Sequence, residues 1–198
     1  MKEEFDFYSK TTLKSYNLDE VMRYQLNILG SLDPYTRLHC ENVANIVCRL
    51  CEYMKKYHVD VSDDLSSAII YNPVSDDHIS IFYEKYDEFT PYEVSFAYQH
   101  IHATDEENAM EWIDDIINEK RYSIEFFLGE QRIFGGEISS EALGKLTYEL
   151  LEKMFGGGMP GLLSAVDNFK VRGWSGRRNF DGRLVRKDGA VFIEKETK

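Results

Sequence analysis

One histidine of this sequence lies on the apolar face of a predicted helix, and an imidazole can serve as a metal ligand or a general base. His39 stands four residues before Val43, where apolar residues begin to recur at helical spacing: Val43, Ile46, Val47, Leu50, Cys51 and Met54. An inward-facing imidazole is either a ligand or a hydrogen-bonded core side chain. On this segment alone, the core side chain is the favoured interpretation.

Three cysteines fall on the same predicted helix. Cys48 and Cys51 form one Cys-x-x-Cys pair, and Cys40 precedes them by two turns. A zinc site of this type needs a second pair of ligands, which the sequence lacks. Buried, reduced thiols are therefore expected rather than a metal site.

Basic residues concentrate at the end of the chain. From Lys170 to Lys198 there are 9 Lys and Arg against 4 Asp and Glu, a net charge of +5, whereas the preceding residues carry −17. Cationic side chains around an aromatic ring can hold single-stranded nucleic acid. The candidate anion-binding residues are Lys170, Arg172, Trp174, Arg177, Arg178 and Arg183. The alternative, basic strands packed on an acidic body, is favoured.

The composition is that of a folded protein. Of 198 residues, 43% are hydrophobic and 14% aromatic, so the chain can bury a core. The net charge of −12 is unfavourable for general binding to phosphate backbones. No apolar run approaches the roughly 20 residues of a membrane helix. The first residues are acidic and lack an apolar signal core, so we expect a cytoplasmic protein without a membrane partner.

Helical spacing, caps and stop signals predict most of the chain to be helical. A lead helix at 17–30 is followed by Asp33-Pro34, which opens the helix of His39. Thr90-Pro91 and Thr104 have the form of helix starts. The predicted helices cover 17–30, 34–57, 62–71, 90–102, 104–117 and 140–155.

Only two regions predict β structure with any strength. Residues 122–138 read as a hairpin around Gly129-Glu130, and residues 169–195 as short strands with a turn at Asp188-Gly189. Residues 79–86 are ambiguous between a strand and a connector. The glycines at 156–161 follow a helix instead of leading into one, so we reject a phosphate loop there.

The segment Asp33-Pro34-Tyr35-Thr36-Arg37-Leu38-His39-Cys40-Glu41-Asn42-Val43-Ala44 resembles the start of an HD-GYP domain, a phosphodiesterase family that hydrolyses cyclic di-GMP. Members typically read Asp-Pro-Tyr-Thr-x-x-His-Ser-x-Arg-Val-Ala there. Extended by spacing, the resemblance covers about residues 18–155. It places Tyr71-Asn72 where the family has its His-Asp pair, His100 at another family histidine, and Glu149 near a metal-binding aspartate.

The departures from the family pattern argue against catalysis. Tyr71-Asn72 replaces the His-Asp pair, and the Gly-Tyr-Pro loop expected near 124–135 is absent. Metal-assisted phosphodiester hydrolysis needs clustered histidine and carboxylate ligands. The residual centre would be His39, Tyr71, Asn72, His100 and Glu149, of which His39, His100 and Glu149 could hold at most one divalent ion weakly. We expect no catalytic residues, no metal and no cofactor.

Together these patterns predict a mainly α protein. The expected fold is an HD-like helical bundle over residues 1–155, with a β-hairpin near 122–138, followed by a glycine hinge and a basic β-rich appendage over 156–198. His39, Tyr71, Asn72 and His100 should then converge, with Tyr71 donating its hydroxyl to a buried acceptor.

The expected function is that of a catalytically inactive regulatory or protein-interaction module in bacterial signalling, with a protein or a small regulatory ligand as partner. Two alternatives remain open. One is residual metal-dependent phosphohydrolase or cyclic-dinucleotide phosphodiesterase activity, and the other is nucleic-acid binding through the basic C-terminal segment.

Overall fold

The computed structural model of the chain describes residues 27, 29–53, 59–62, 66–84, 87–97, 99–156 and 161–196, which form two five-stranded antiparallel sheets and five helices. The helices are α1 (Pro34–Tyr53), α2 (Glu106–Ile117), α3 (Ser140–Gly144), α4 (Tyr148–Phe155) and α5 (Leu162–Ala165). The strands are β1 (Val59–Val61), β2 (Ser67–Tyr71), β3 (His78–Tyr83), β4 (Tyr92–Phe96), β5 (Gln99–Ala103), β6 (Arg121–Leu128), β7 (Gln131–Ser139), β8 (Asn168–Arg172), β9 (Phe180–Lys187) and β10 (Ala190–Glu196).

The chain divides into two compact units. The first contains the described residues up to Phe96 together with His100–Ile113, and the second contains Ala97, Gln99 and the described residues from Asp114 onwards. Each unit holds one of the sheets. None of the described helices is long and apolar enough to cross a membrane.

The first unit packs α1 against a sheet with the strand order β1-β2-β3-β4-β5. The buried face of α1 has the predicted helical period, since Val43, Ile46 and Leu50 are fully buried. The strands instead alternate: in β4, Tyr92, Val94 and Phe96 are buried while the residues between them are half-exposed. The core of the first unit thus lies between the apolar face of a helix and the apolar face of a sheet, whose buried residues recur at different spacings.

The second unit has the strand order β10-β9-β8-β6-β7 and one apolar face. On that face the sheet side chains pack with residues of α3, α4 and α5; the core is Tyr122, Ile124, Phe126, Ile138, Leu143, Leu151, Leu163, Val166, Phe169, Val171 and Leu184. Gly182 leaves room for the ring of Phe169, because a Cβ at Gly182 would lie 2.4 Å from that ring. The opposite face of this sheet is polar.

The prediction of a mainly α, HD-like bundle is wrong. Residues 62–71 and 90–102, predicted as helices, contain β2, β4 and β5. Each segment holds so few apolar residues that their spacing fits both a helix and a strand. The Thr90-Pro91 pair precedes a strand instead of capping a helix. The resemblance to HD-GYP domains beyond α1 therefore has no structural basis.

Several local predictions are confirmed. The helix of His39 runs from Pro34 to Tyr53, and 121–139 form the β6–β7 hairpin with Gly129 at φ +59°. Asp188 and Gly189, both at positive φ, join β9 to β10. The helix predicted at 140–155 is divided into α3 and α4, with Thr147 capping α4. The lead helix at 17–30 lies almost wholly outside the described residues.

Candidate functional site

The residues of the expected HD-like centre have separate surroundings. His39 is half-buried on α1, and its Nδ1 lies 2.7 Å from the hydroxyl of Tyr92, which also accepts a hydrogen bond of 2.8 Å from Asn42 Nδ2. Asn42 Nδ2 donates to the Tyr92 hydroxyl, whereas the direction of the hydrogen bond between Tyr92 and His39 depends on the tautomer of the imidazole. The His39 ring also stacks on Tyr83 at 4.6 Å.

This arrangement is that of a hydrogen-bonded core histidine, the interpretation favoured from the sequence. Burial lowers the pKa of His39 from its usual value, so the ring is neutral near pH 7. Burial also raises the pKa of Tyr92 to about 12, so its hydroxyl stays protonated. His39 thereby ties α1 to β4.

Two of the other four residues of the expected centre, Tyr71 and Asn72, hold local structure, and two are exposed. The hydroxyl of Tyr71 donates to Asp60 on the neighbouring strand at 2.8 Å, and the buried Asn72 accepts from the backbone N–H of Val74 at 3.0 Å. His100 is exposed on β5, and Glu149 is exposed in the first turn of α4, in the second unit. The predicted convergence of helices around these residues is wrong, because strands occupy two of the helix positions.

The predicted anion-binding residues divide into three groups. Lys170 and Arg172 lie on β8 and Arg183 on β9, all on the polar face of the second sheet. Trp174 is buried, 3% exposed, so its ring offers no stacking surface. Arg177 and Arg178 are exposed in the loop between β8 and β9.

Arg177 and Arg178 line a cleft that lies wholly within the second unit. The cleft has a volume of about 450 Å³ and is lined by Leu143, Gly144, Arg177, Arg178, Asn179, Phe180 and Lys195. Three of these side chains are cations and none is a carboxylate. The cleft lies on the apolar side of the sheet, beside the end of α3.

The loop that carries the two arginines is held by its own hydrogen bonds. The side-chain oxygen of Asn179 accepts from the Gly173 backbone N–H at 2.6 Å, and the Gly176 N–H donates to the Gly173 carbonyl at 3.1 Å. Ser175 donates both its N–H and its hydroxyl to Glu119. Gly176 adopts a φ of +71°, which an L-residue rarely takes. The arginines therefore extend from a loop with a defined conformation.

The cleft cations differ from most other basic residues of this unit in their partners. Arg172 is ion-paired with Asp181 at 2.9 Å, Arg132 with Glu125 at 2.9 Å and Arg121 with Asp115 at 2.8 Å. In the described part of the chain, the side chains of Arg177, Arg178 and Lys195 form no ion pair with a carboxylate.

Two aromatic side chains stand behind the cleft cations. The Lys195 ammonium lies 4.6 Å from the centroid of the Phe180 ring, a cation–π contact that holds it over the cleft. Arg178 lies near the buried hydroxyl of Tyr122, which has no aligned hydrogen bond. Burial and Glu119 raise the pKa of Tyr122 while Arg178 opposes the rise.

A second group of charges, which the sequence pattern does not reveal, occupies the polar face of the same sheet. Glu125 on β6 is only 2% exposed, and burial raises the pKa of its carboxyl against the opposing effect of Arg132, Arg172 and Lys170. Arg132 reaches Glu125 across Gly135, where a Cβ would lie 3.1 Å from the guanidinium. The Gly135-Gly136 pair was the signal for this contact, although the sequence suggested only a bulge.

A third group, also missed, lies in the first unit. The ligand atoms of Glu84, Asp87 and His102 lie within 4.8 Å of one another. Glu84 lies in the segment 79–86 that the sequence left ambiguous, Asp87 follows that segment, and His102 lies on a strand predicted as a helix. The sequence could not bring them together without the sheet.

This chain matches no protein-family model, no curated protein and no solved structure, so no family match supports the HD-GYP resemblance.

Proposed function

We propose that the second unit is a binding module for phosphate-bearing ligands, with the cleft of Arg177, Arg178 and Lys195 as its site. The observation that carries the proposal is the absence of any carboxylate among the residues that line the cleft, although three cations do. Unpaired guanidinium and ammonium groups around a concave surface recognise phosphate oxygens by charge-assisted hydrogen bonds. This develops the nucleic-acid alternative that the sequence raised.

The distribution of charge removes the main objection to an anionic ligand. Residues 1–113 hold 9 Lys and Arg against 21 Asp and Glu, which accounts for the whole net charge of −12. Residues 114–198 hold 14 of each sign and are neutral. Charges further than about 8 Å away are largely screened at physiological salt, so the field in the cleft depends mainly on its own cations.

The ligand chemistry follows from what the cleft offers. Its volume, about 450 Å³, is in the range of small-molecule sites and could hold a nucleotide-sized group. Trp174 is buried, Lys195 lies over the Phe180 ring, and the Phe169 ring packs edge-on against Phe180 at 5.8 Å, which restricts the stacking of a base in the cleft. The cleft should therefore recognise phosphate with little preference among bases, whether the phosphate belongs to a free nucleotide or to a single strand.

The proposal is tested by titrating the full chain with fluorescent single-stranded oligonucleotides, a mononucleotide and inorganic phosphate over a range of salt concentrations. If three phosphates are neutralised, the plot of log K against log salt for the oligonucleotide should have a slope of about −2. Oligonucleotides of different base composition should bind alike. An oligonucleotide affinity that depends more on base composition than on salt concentration would contradict a phosphate site.

The variants separate the cleft from general charge. Arg177→Ala with Arg178→Ala should reduce the magnitude of the slope by about 1.4 and weaken binding at least tenfold at low salt. Lys153→Ala with Lys187→Ala removes two exposed cations outside the cleft and is the matched control. Lys195→Ala tests the cleft from β10 instead of the loop, in case the loop variant perturbs Tyr122. Equal losses in control and cleft variants, or no binding by the wild type, would overturn the proposal.

The protein-interaction role and the cytoplasmic location expected from the sequence remain predictions. The described thiols Cys40 and Cys48 form no disulfide, which agrees with a reducing compartment. The signalling role depended on the resemblance to HD-GYP domains, and the sheets remove that support.

A further inference from the structure

The connection from β3 to β4 and the adjoining strand β5 bring together two carboxylates and an imidazole. Glu84 follows directly after β3, Asp87 lies three residues later, and His102 lies on β5. The donor atoms of the three side chains are within 4.8 Å of one another. All three residues belong to the first unit, so this group is independent of the phosphate cleft.

The backbone and neighbouring side chains fix the position of the Asp87 carboxylate. Its Oδ1 accepts the N–H groups of Phe89 at 3.0 Å and Thr90 at 2.8 Å, and its Oδ2 accepts the Thr90 hydroxyl at 2.7 Å. These three hydrogen bonds hold the carboxylate in one orientation. Each oxygen keeps lone-pair capacity for another partner.

The two carboxylates of this group have no Lys or Arg partner in the described part of the chain. Among the described residues, neither carboxylate is ion-paired with Lys or Arg, and His102 makes no ion pair within 4.0 Å despite lying within 4.8 Å of both acids. Nitrogen and oxygen ligands bound tetrahedrally to one zinc ion at about 2.0–2.2 Å are about 3.3–3.6 Å apart. Rotations of the Glu84 and His102 side chains towards the held Asp87 carboxylate would bring the three donors to that spacing.

We propose that Glu84, Asp87 and His102 bind a divalent transition-metal ion. One imidazole with two carboxylates suits zinc, manganese or iron, whereas calcium and magnesium take oxygen ligands alone. The net charge of −12 that residues 1–113 carry raises the local concentration of cations around this unit. Glu84 and Asp87 are half-buried and His102 is exposed, which leaves room for water at the remaining coordination positions.

The test uses the full chain after treatment with a chelator, titrated with zinc by calorimetry and with cobalt by absorption spectroscopy. We expect one equivalent of metal and a cobalt spectrum of nitrogen and oxygen ligands, without the near-ultraviolet bands of thiolate. Glu84→Gln and His102→Ala should each weaken zinc binding at least tenfold. The rise in melting temperature on adding zinc should be smaller in both variants than in the wild type.

The matched control is His100→Ala. His100 is an exposed imidazole on the same strand, its ring centroid 5.3 Å from that of His102, and it is not one of the three donors. Its removal should leave zinc affinity within about threefold of the wild type. Three outcomes would overturn the proposal: no stoichiometric binding, a thiolate spectrum that assigns the metal to Cys40, Cys48 or Cys51, or equal affinity in the wild type and the Glu84 and His102 variants.

Discussion

Glu125 is a buried carboxylate whose negative charge is unfavourable in the folded protein. The strand β6 places it on the polar face, between Gly135 on β7 and Lys170 on β8. Arg132 lies 2.9 Å from its Oε1, yet that oxygen has no aligned hydrogen bond, and the neighbouring Ser123 hydroxyl has no partner among the described residues. The nearby positive charges compensate only part of the cost of burying the carboxylate.

Replacing Glu125 with glutamine should stabilise the protein at neutral pH. Because its pKa is raised in the folded state, the folded protein binds the proton more tightly, and stability is lost as pH rises from the usual pKa of glutamate through the raised value. The advantage of Glu125→Gln over the wild type should therefore be small near pH 3.5 to 4 and grow towards pH 7. Urea unfolding at several pH values measures it.

Glu130→Gln, on the exposed turn of the same hairpin, controls for the loss of one negative charge. If Glu125→Gln were less stable than the wild type at pH 7, the ion pair with Arg132 would outweigh the burial cost, and our account of the site would be wrong.

Glycines in the strands determine how closely aromatic rings pack against the second sheet. Phe169 on β8 is fully buried, and its ring occupies the space above Gly182 on β9, the residue to which it is paired across the strands. Gly136, whose strand partner is Ile124, lies under the ring of Phe155 of α4, and a hypothetical Cβ there would be 2.3 Å from that ring. The aromatic core can be this large because neither glycine has a side chain.

Gly182→Ala should destabilise the protein by about 1–3 kcal/mol, since the added methyl group collides with a buried ring that cannot move into solvent. Thermal or urea unfolding measures the loss. Gly144→Ala is the matched control: a Cβ there meets nothing within 4 Å, so its stability should be unchanged or slightly higher. A Gly182→Ala variant as stable as Gly144→Ala would show that the ring is not confined.

The unequal charge of the two parts of the chain is a property of the whole molecule. Residues 1–113 carry the entire net charge, whereas residues 114–198 are balanced. Most ion pairs of the described residues are exposed or half-exposed, as for Lys145 with Glu141, and such pairs contribute little to stability, about 0–1 kcal/mol each. Repulsion among the acids of the first part should therefore dominate the response to salt.

The melting temperature should accordingly rise as sodium chloride increases from about 10 mM to about 150 mM, because the screening length falls from about 30 Å to about 8 Å. Scanning calorimetry at constant pH measures this response, and a neutral osmolyte at matched osmolality is the control. A melting temperature that falls steadily over the same range would show that attractive pairs outweigh the repulsion.

The sequence by itself determined the helices and turns whose signals depend on residues close in the chain. The sequence predicted the helical spacing of apolar residues in the twenty-residue α1 and in α2, and the turns at Gly129 and Asp188-Gly189. Each of these signals depends on residues close in the chain. The inward position of His39 and its role as a hydrogen-bonded side chain were also correctly favoured.

Only the tertiary structure decided the identity of the short apolar segments and the sites. In β4 the strict alternation of Tyr92, Val94 and Phe96 was a signal for a strand, but the Thr-Pro pair before it suggested a helix cap, and a few residues fit both periods. Strand partners come from distant parts of the chain. Sheet pairing and folded connections bring Lys195 to Arg177 and Arg178, and His102 to Glu84 and Asp87, from distant parts of the chain. Glu125 and Arg132 lie on the predicted hairpin, but only its register decides that they meet. Spacing along a sequence cannot show these contacts.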